Sequence, residues 1–495
     1  MSISFHNEIK NKVYSIKEAV GDRVQVSSRN IYIKNKKATI IYIKGLINKN
    51  ILDRDVLNPL MLKVKENLND TENLEEYICS KYIPSSDVYL EIDLNSVAEE
   101  VKKGHTAIII EGCEKVILID TSGGKYRDIT DPINESSVKG SREGFVDNIE
   151  TNMSIIRRRI KDKNLVMEKF VVGRRSQTDV VMIYIDDIVS LELLNNLRDK
   201  INNIDVDSII ASGMLDQFME RHTFSLFPQS YSTERPDLVQ ANLMEGRIAI
   251  LVNGSPFAIT IPALFFEFFH TVEDYSERTL LGSVIRFIRY IAMFIVISLP
   301  AVYLTFIKFN PELIPLDFIE SLIQSRQGIA LTPFMSLLGM NLIVEFLREG
   351  GLRLPIKIGQ TLSVVGGIII GDAAIRSKLV SASTLVVVGV TTVSTFLIPN
   401  YEMALSMRLL SFIMTVLGNF LGMLGVASGW FIIIGYLSSL DSYGVPYFNF
   451  KAKDLKDILV RAPLWTMDKR PEAIPNRNPI RQKEIKNQNR RKNNG

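Results

Sequence analysis

Between residues 276 and 450 the chain carries only 20 charged side chains, and the uncharged stretches there approach or exceed the length that crosses a bilayer. A hydrocarbon core about 30 Å thick takes ~20 mainly apolar residues as a helix. Residues 290–307 and 327–344 are each uncharged for 18 residues, 379–401 for 23 and 409–440 for 32. A fifth run, 358–371, has 14 and extends through Ala373 and Ala374 if Asp372 is accommodated. As one helix the longest run measures ~48 Å, too long for a perpendicular crossing, so Gly422, Gly425 and Gly429 are expected to break it in two. About six hydrophobic segments are predicted, with four as the smaller count.

The remainder of the 495 residues is polar and polarised. Residues 1–275 hold 34 Lys and Arg against 41 Asp and Glu, whereas 451–495 hold 13 against 5. The expected architecture is therefore an α/β soluble N-terminal domain of two related lobes (1–140 and 141–275), an α-helical transmembrane domain (276–445) and a disordered basic tail (446–495). The tail lacks interleaved aromatics over 469–492, so attraction to anionic lipid is expected and nucleic-acid binding is not. Arg278, Arg286 and Arg289 before the first span, and Arg348, Arg353 and Lys357 between the second and third, place these ends and the tail in the cytoplasm. Arg376 and Lys378 break that pattern. The first 30 residues present no apolar signal-peptide core. Cys79 and Cys113 lack metal or redox spacing and read as buried thiols.

In the soluble part, strands are expected at 38–43, 88–92, 166–172 and 180–185, with an amphipathic helix over 51–65 and a helix over 145–160. Two β-hairpins, 106–120 around Gly112 and 248–261 around Asn253-Gly254, carry strong turn signals. The stretch 97–120 aligns without gaps on 239–262 at an offset of 142, with seven of 24 residues identical, including Gly104/Gly246 and Gly112/Gly254. Both stretches read as helix, glycine cap, strand, glycine turn, strand, which predicts two lobes built on one plan.

No catalytic constellation is visible. His6, His105, His222 and His270 are scattered without zinc-helix spacing, and GxSxG, GxGxxG and GxxxxGK[ST] motifs are missing. No enzyme activity, cofactor or metal is expected. The basic run Arg157 to Lys163 reads as a solvated helix end, with phosphate or lipid headgroups as the other reading. The third span is more informative. At about 100° per residue Gln360, Ser363, Val364, Gly367, Gly371 and Ala374 share one face, opposite Leu362, Val365 and Ile369. Ser363, Gly367 and Gly371 form a small-xxx-small ridge, which serves close helix packing or lines a pore, and both together if identical helices surround an axis. Asp372 faces Arg376 four residues on, as a local ion pair or as part of a cation-attracting ring. Glu345, near Arg348 and Arg353, reads as a helix-end charge among headgroups.

Several long strings carry a resemblance: SREGFVDNIETNMSIIRRRIKDKNL (141–165), VGRRSQTDVVMIYIDDI (172–188), TERPDLVQANLMEGRIAILVNGSPF (233–257), NPELIP (310–315), EFLREGGLRLPIKIGQTLSVVGGIIIGDAA (345–374) and SLDSYGVPYFNF (439–450). Over about 38–465 the chain resembles the GerA family of endospore germination proteins, and within it the A subunits of nutrient germinant receptors. The resemblance implies a multi-pass protein of the spore inner membrane, a homo-oligomer (a pentamer) forming a nutrient-gated cation channel. Its implied partners are a transporter-like B subunit that binds the nutrient and a lipoprotein C subunit. The family's IGQ and GGxxIG helix falls on 358–374, the span that carries the small and polar ridge. If identical copies place it around an axis, Val364 and Gly367 stand at the constriction, Gln360, Ser363 and Gly371 along the lining, and Asp372 or carbonyls at the selectivity step. Asn310 stands where the family's usual HPELIP has His. Two other readings are a non-conducting membrane scaffold or signal relay, and the paralogous subunit associated with the dipicolinic-acid release complex; LREGGLRLP (347–355) favours the receptor subunit.

Overall fold

The structure, a computed structural model, describes residues 2–482 apart from 22–25, 69–72, 86, 124–131, 133–134, 136–138, 353–355, 450, 452–453 and 459; the side chains of 2–8, 318 and 356–365 also lie outside the described set. The chain divides into two compact units, one of Met1–Arg221, Ser230–Pro262 and Asp468–Lys483, the other chiefly of His222–Gln229 and Ala263–Met467.

The first unit contains two five-stranded antiparallel sheets. One is built from β1 (Val26–Ile33), β2 (Lys36–Ile43), β3 (Val88–Glu91), β4 (His105–Ile110) and β5 (Val116–Asp120) in the order β1-β2-β4-β5-β3. The unbroken aliphatic run of β4 needs cover on both faces, and period-two alternation sorts it. Ile108 and Ile110 join a core with Leu52, Val56, Leu60 and Ile78. Ala107 and Ile109 join another with Ile16 and Val20 of α1 (Ser2–Val20). The helix expected over 51–65 is a set of short α and π turns ending at Lys63, with Pro59 within it. α2 (Leu74–Tyr82) and α3 (Leu94–Lys103) complete the lobe.

The second sheet comprises β6 (Leu165–Val172), β7 (Thr178–Ile185), β8 (Tyr231–Thr233), β9 (Ile248–Val252) and β10 (Ala258–Ile261), in the order β6-β7-β9-β10-β8. This is the first sheet's topology repeated. The register repeats too: Ala107 faces Leu118 and Ile108 faces Ile117, and 142 residues later Ala249 faces Thr260 and Ile250 faces Ile259. α3 ends at Gly104 with φ 104°, ψ 11°, and α7 (Pro236–Glu245) ends at Gly246 with φ 100°, ψ 13°. That left-handed cap is open to glycine and strained for residues with a Cβ. α4 (Ile149–Arg159) starts later than the sequence predicts, because the Asn148 side chain accepts from the Thr151 N–H and fixes the first turn there. α5 (Leu191–Asn202) and α6 (Ser212–Met219) flank this sheet.

One expectation is overturned. The basic tail is not disordered over 468–482, which folds back onto the second lobe. Ala473 and Ile474 are buried, the Arg470 guanidinium donates to Met244 O at 2.6 Å, and the Arg477 N–H donates to Ile188 O at 2.8 Å. Its arginines serve as donors to backbone carbonyls, which composition does not reveal. Residues 483–495 lie outside the described residues.

In the second unit the principal helices are α8 (Thr279–Lys308), α9 (Leu316–Arg326), α10 (Pro333–Leu352), α11 (Ile356–Arg376), α12 (Ala382–Thr395) and α13 (Tyr401–Ser439). Among the described residues, α8 and α13 are long and apolar enough to cross a membrane, and α12 is a shorter apolar helix. The 379–401 run yields only 14 helical residues, because its last part turns through Ile398 and Pro399 before the Asn400 side chain caps α13 at the Met403 N–H. α13 is broken at Gly422 (φ 60°, ψ −140°). A Cβ on Gly425 would collide with Leu417 O, and one on Gly429 with Met414 Sδ. Residues 414 and 429 of a straight helix would stand ~22 Å apart, so α13 is a hairpin of two arms, roughly 30 and 25 Å long. The run breaks in two at Gly422, one of the three glycines the sequence singles out, while Gly425 and Gly429 let the two arms approach.

Candidate functional site

The ridge of the third span lies on α11. Gln360, Ser363 and Val364 fall where side chains are outside the described residues. Beyond them the ridge divides. Gly371 is buried, with Leu385 of α12 3.5 Å from where its Cβ would stand, and Ala374 lies in a core with Leu304, Leu337, Met340, Val380 and Val388. Gly366 approaches Leu347 of α10 in the same way, at 3.4 Å. Gly367 points into open space, and its neighbours Ile368 and Ile369 are 67% and 60% exposed. From Gly366 onward, α11 is thus covered by its own chain along one side and bare along the other. Asp372 pairs with Arg376 at 2.8 Å, both side chains more than half exposed. Such a pair contributes at most about 1 kcal/mol, so the Asp372 carboxylate is readily surrendered to another cation.

Where the sequence offers only cytoplasmic flanking charges, the structure builds a buried network. Arg286 and Arg289 of α8 both turn inward, Arg286 with no exposed area. Asp274, also buried, lies 2.8 Å from Arg289 Nη1 and 3.4 Å from Arg286 Nε. Arg286 Nη1 also reaches Asp457 Oδ1 at 3.2 Å, and the Tyr275 hydroxyl donates to Asp457 Oδ2 at 2.9 Å. The Tyr275 ring has the Arg286 and Arg461 guanidiniums 5.7 and 5.9 Å from its centre. His270 Nε2 and the Tyr290 hydroxyl meet at Ile458 O. This collar therefore ties the segment before α8, together with Asp457, Ile458 and Arg461, to the N-terminal part of α8. Removing one member would leave a buried charge unmatched, which is strongly destabilising. The sequence held one signal for it, arginines three apart with Asp274 and Asp457 far off in sequence, and that reads equally well as headgroup contacts.

Between the two lobes of the first unit lies a cleft of about 570 Å³, with Lys44, Asn48 and Lys49 on one side and Asn148, Ser154 and Arg158 on the other. Glu150 lines it as well, so the cleft carries both signs of charge. The basic run behind it is less solvated than expected. Arg158 and Arg159 both bind Glu143. Arg157 is buried against Met167 Sδ, and burial brings its guanidinium down to about 10. Cys113 is buried and Cys79 half-buried; burial lifts their thiols to about 12 and about 11. Among the described residues, acidic, His and Cys side chains form no group able to hold a metal ion.

A membrane-associated helical unit joined to a repeated α/β unit is the class these features define. The chain matches the model of GerA, the Bacillus/Clostridium GerA spore germination protein, over residues 14–473, and it belongs to that family. It is 35% identical to spore germination protein KA of Bacillus subtilis (strain 168), over 96% of this chain and 88% of that one. It is 36% identical to "Uncharacterized membrane protein YfkQ" of the same organism, over 87% and 84%. The crystal structure of the N-terminal domain of the A subunit of the Bacillus megaterium spore germinant receptor GerK3 shares 32% identity, covering 51% of this chain and 94% of that one, at a TM-score of 0.38.

Proposed function

We propose that this chain is the A subunit of a nutrient germinant receptor in the spore inner membrane. Copies of it assemble, as a pentamer in our reading, into a cation channel opened in response to nutrient. The six hydrophobic segments are then α8, α10, α11, α12 and the two arms of α13. The transporter-like B subunit and the lipoprotein C subunit are its partners, and membership of a spore germination family supports that setting. The observation that carries the channel reading is the bare Gly367 side of α11, uncovered by the protomer and small enough for helices to approach closely. Around an axis, Gln360, Ser363, Val364 and Gly367 would border the conduit, Gly371 being taken up by packing against Leu385, and Asp372, paired with Arg376, would attract cations at its end.

Disulfide trapping tests the assembly. Gly367→Cys is introduced and membranes are oxidised; the native thiols contribute little background, since burial raises both. Cross-linked dimers through residue 367 are expected, since one thiol per protomer makes one disulfide. Monomers alone under oxidation would leave α11 facing lipid and favour a non-conducting scaffold.

A further inference from the structure

α10, α12 and α13 line a small, half-open cavity of about 30 Å³ beside Val296 of α8. Glu345 lines it, but not as a lone helix-end charge. Its Oε1 accepts from Arg348 Nη1 at 3.0 Å and lies 3.7 Å from Nε of Arg408, which the α13 hairpin brings in from a distant part of the sequence. Two guanidiniums thus share one carboxylate, leaving an excess positive charge. The Arg408 side chain is 10% exposed and Ser411 5%. Two polar atoms at this cavity, Arg408 Nε and Ser411 Oγ, are buried without a hydrogen-bond partner. The hydroxyls of Thr391 and Thr395 are committed to the carbonyls of Val387 and Thr391 on their own helix, so they do not supply what is missing.

A buried donor left unmet and an unbalanced charge in a low-dielectric bundle are both costly, and one species relieves both. We propose that the cavity binds a single small inorganic anion of the chloride class, held by the Arg408 Nε–H, the Ser411 hydroxyl and the Arg348 guanidinium. The space holds about one water-sized species. A water there would satisfy the orphaned atoms and leave the charge excess untouched. By bridging α10 and α13, the anion would fasten the helix next to α11 to the hairpin packed on α8. The proposal does not rest on ion conduction and stands or falls separately from it.

The probe is chloride itself, on the full-length protein in lipid nanodiscs, exchanged against gluconate at constant sodium and ionic strength. Chloride is expected to raise the thermal midpoint saturably and to broaden the ³⁵Cl NMR line. Ser411→Ala removes one hydroxyl and should weaken apparent chloride affinity about tenfold. Arg408→Gln should abolish binding, and Glu345→Gln, which removes the competing carboxylate, should tighten it, an effect that a purely structural ion pair would not produce. Should Arg408→Gln fail to fold, Ser411→Ala and Glu345→Gln decide. Equal midpoints and line widths in chloride and gluconate, meaning water only, or chloride affinity unchanged by both of these variants, would overturn the proposal.

Discussion

At the scale of single residues, environment decides what a side chain does, and Glu135 shows it outside the membrane unit. Thr233 Oγ1 and the Glu234 N–H donate to its carboxylate, the latter at 3.2 Å, yet burial outweighs them and lifts the acid to about 7. The folded chain keeps a proton there that the unfolded chain releases from about 4.5 upward, so this group's contribution to stability falls as pH rises from about 4.5 to 7. Glu135→Gln, neutral throughout, should be more stable than the parent at pH 8 and equal to it near pH 4.5. Urea unfolding of the whole protein at the two pH values checks this, and an offset independent of pH would refute it. Nothing in the sequence around Glu135 announces that shift, because it depends on chain folded over it from about 100 residues later. Arg286 and Arg289 teach the same lesson: charge and position read as headgroup contacts, while their partners Asp274 and Asp457 are supplied by packing.

At the scale of elements, glycine position was the most legible signal. The Gly104 and Gly246 caps, the two hairpins and the break at Gly422 all follow from where a chain without a Cβ is required. Gly425→Ala drives a methyl into the Leu417 carbonyl of the opposing arm, so the α13 hairpin must splay. The expected cost is about 1–3 kcal/mol, seen as a lower thermal midpoint in detergent or nanodiscs, with Gly435→Ala, whose Cβ meets nothing within 4 Å, as the neutral control. Equal losses in both variants would mean that the arms do not touch. Less legible were α1 and β1, whose mixed polar sequences become ordered only by covering the first sheet, and the tail over 468–482, where two buried apolar residues sit among basic ones. Of the α11 ridge, periodicity found the shared face. It did not show that Gly371 and Ala374 would be spent on packing within the protomer while Gly367 stays open, since that depends on where α10 and α12 lie.

At the scale of the whole molecule, a repeated α/β unit and a helical membrane unit belong to one polypeptide, and in the proposed assembly several such polypeptides make one conduit along α11. Because Gly367 faces open space in the protomer, Gly367→Leu should leave folding intact and act only where copies meet. The decisive measurement is potassium efflux from liposomes holding the purified full-length protein, or the protein with its B and C subunits, compared with Gly367→Leu at equal incorporation. Cation efflux is expected, evoked by nutrient when the partners are present, and lost in the variant. Efflux that is missing from the parent under both conditions, or undiminished in Gly367→Leu, would contradict it.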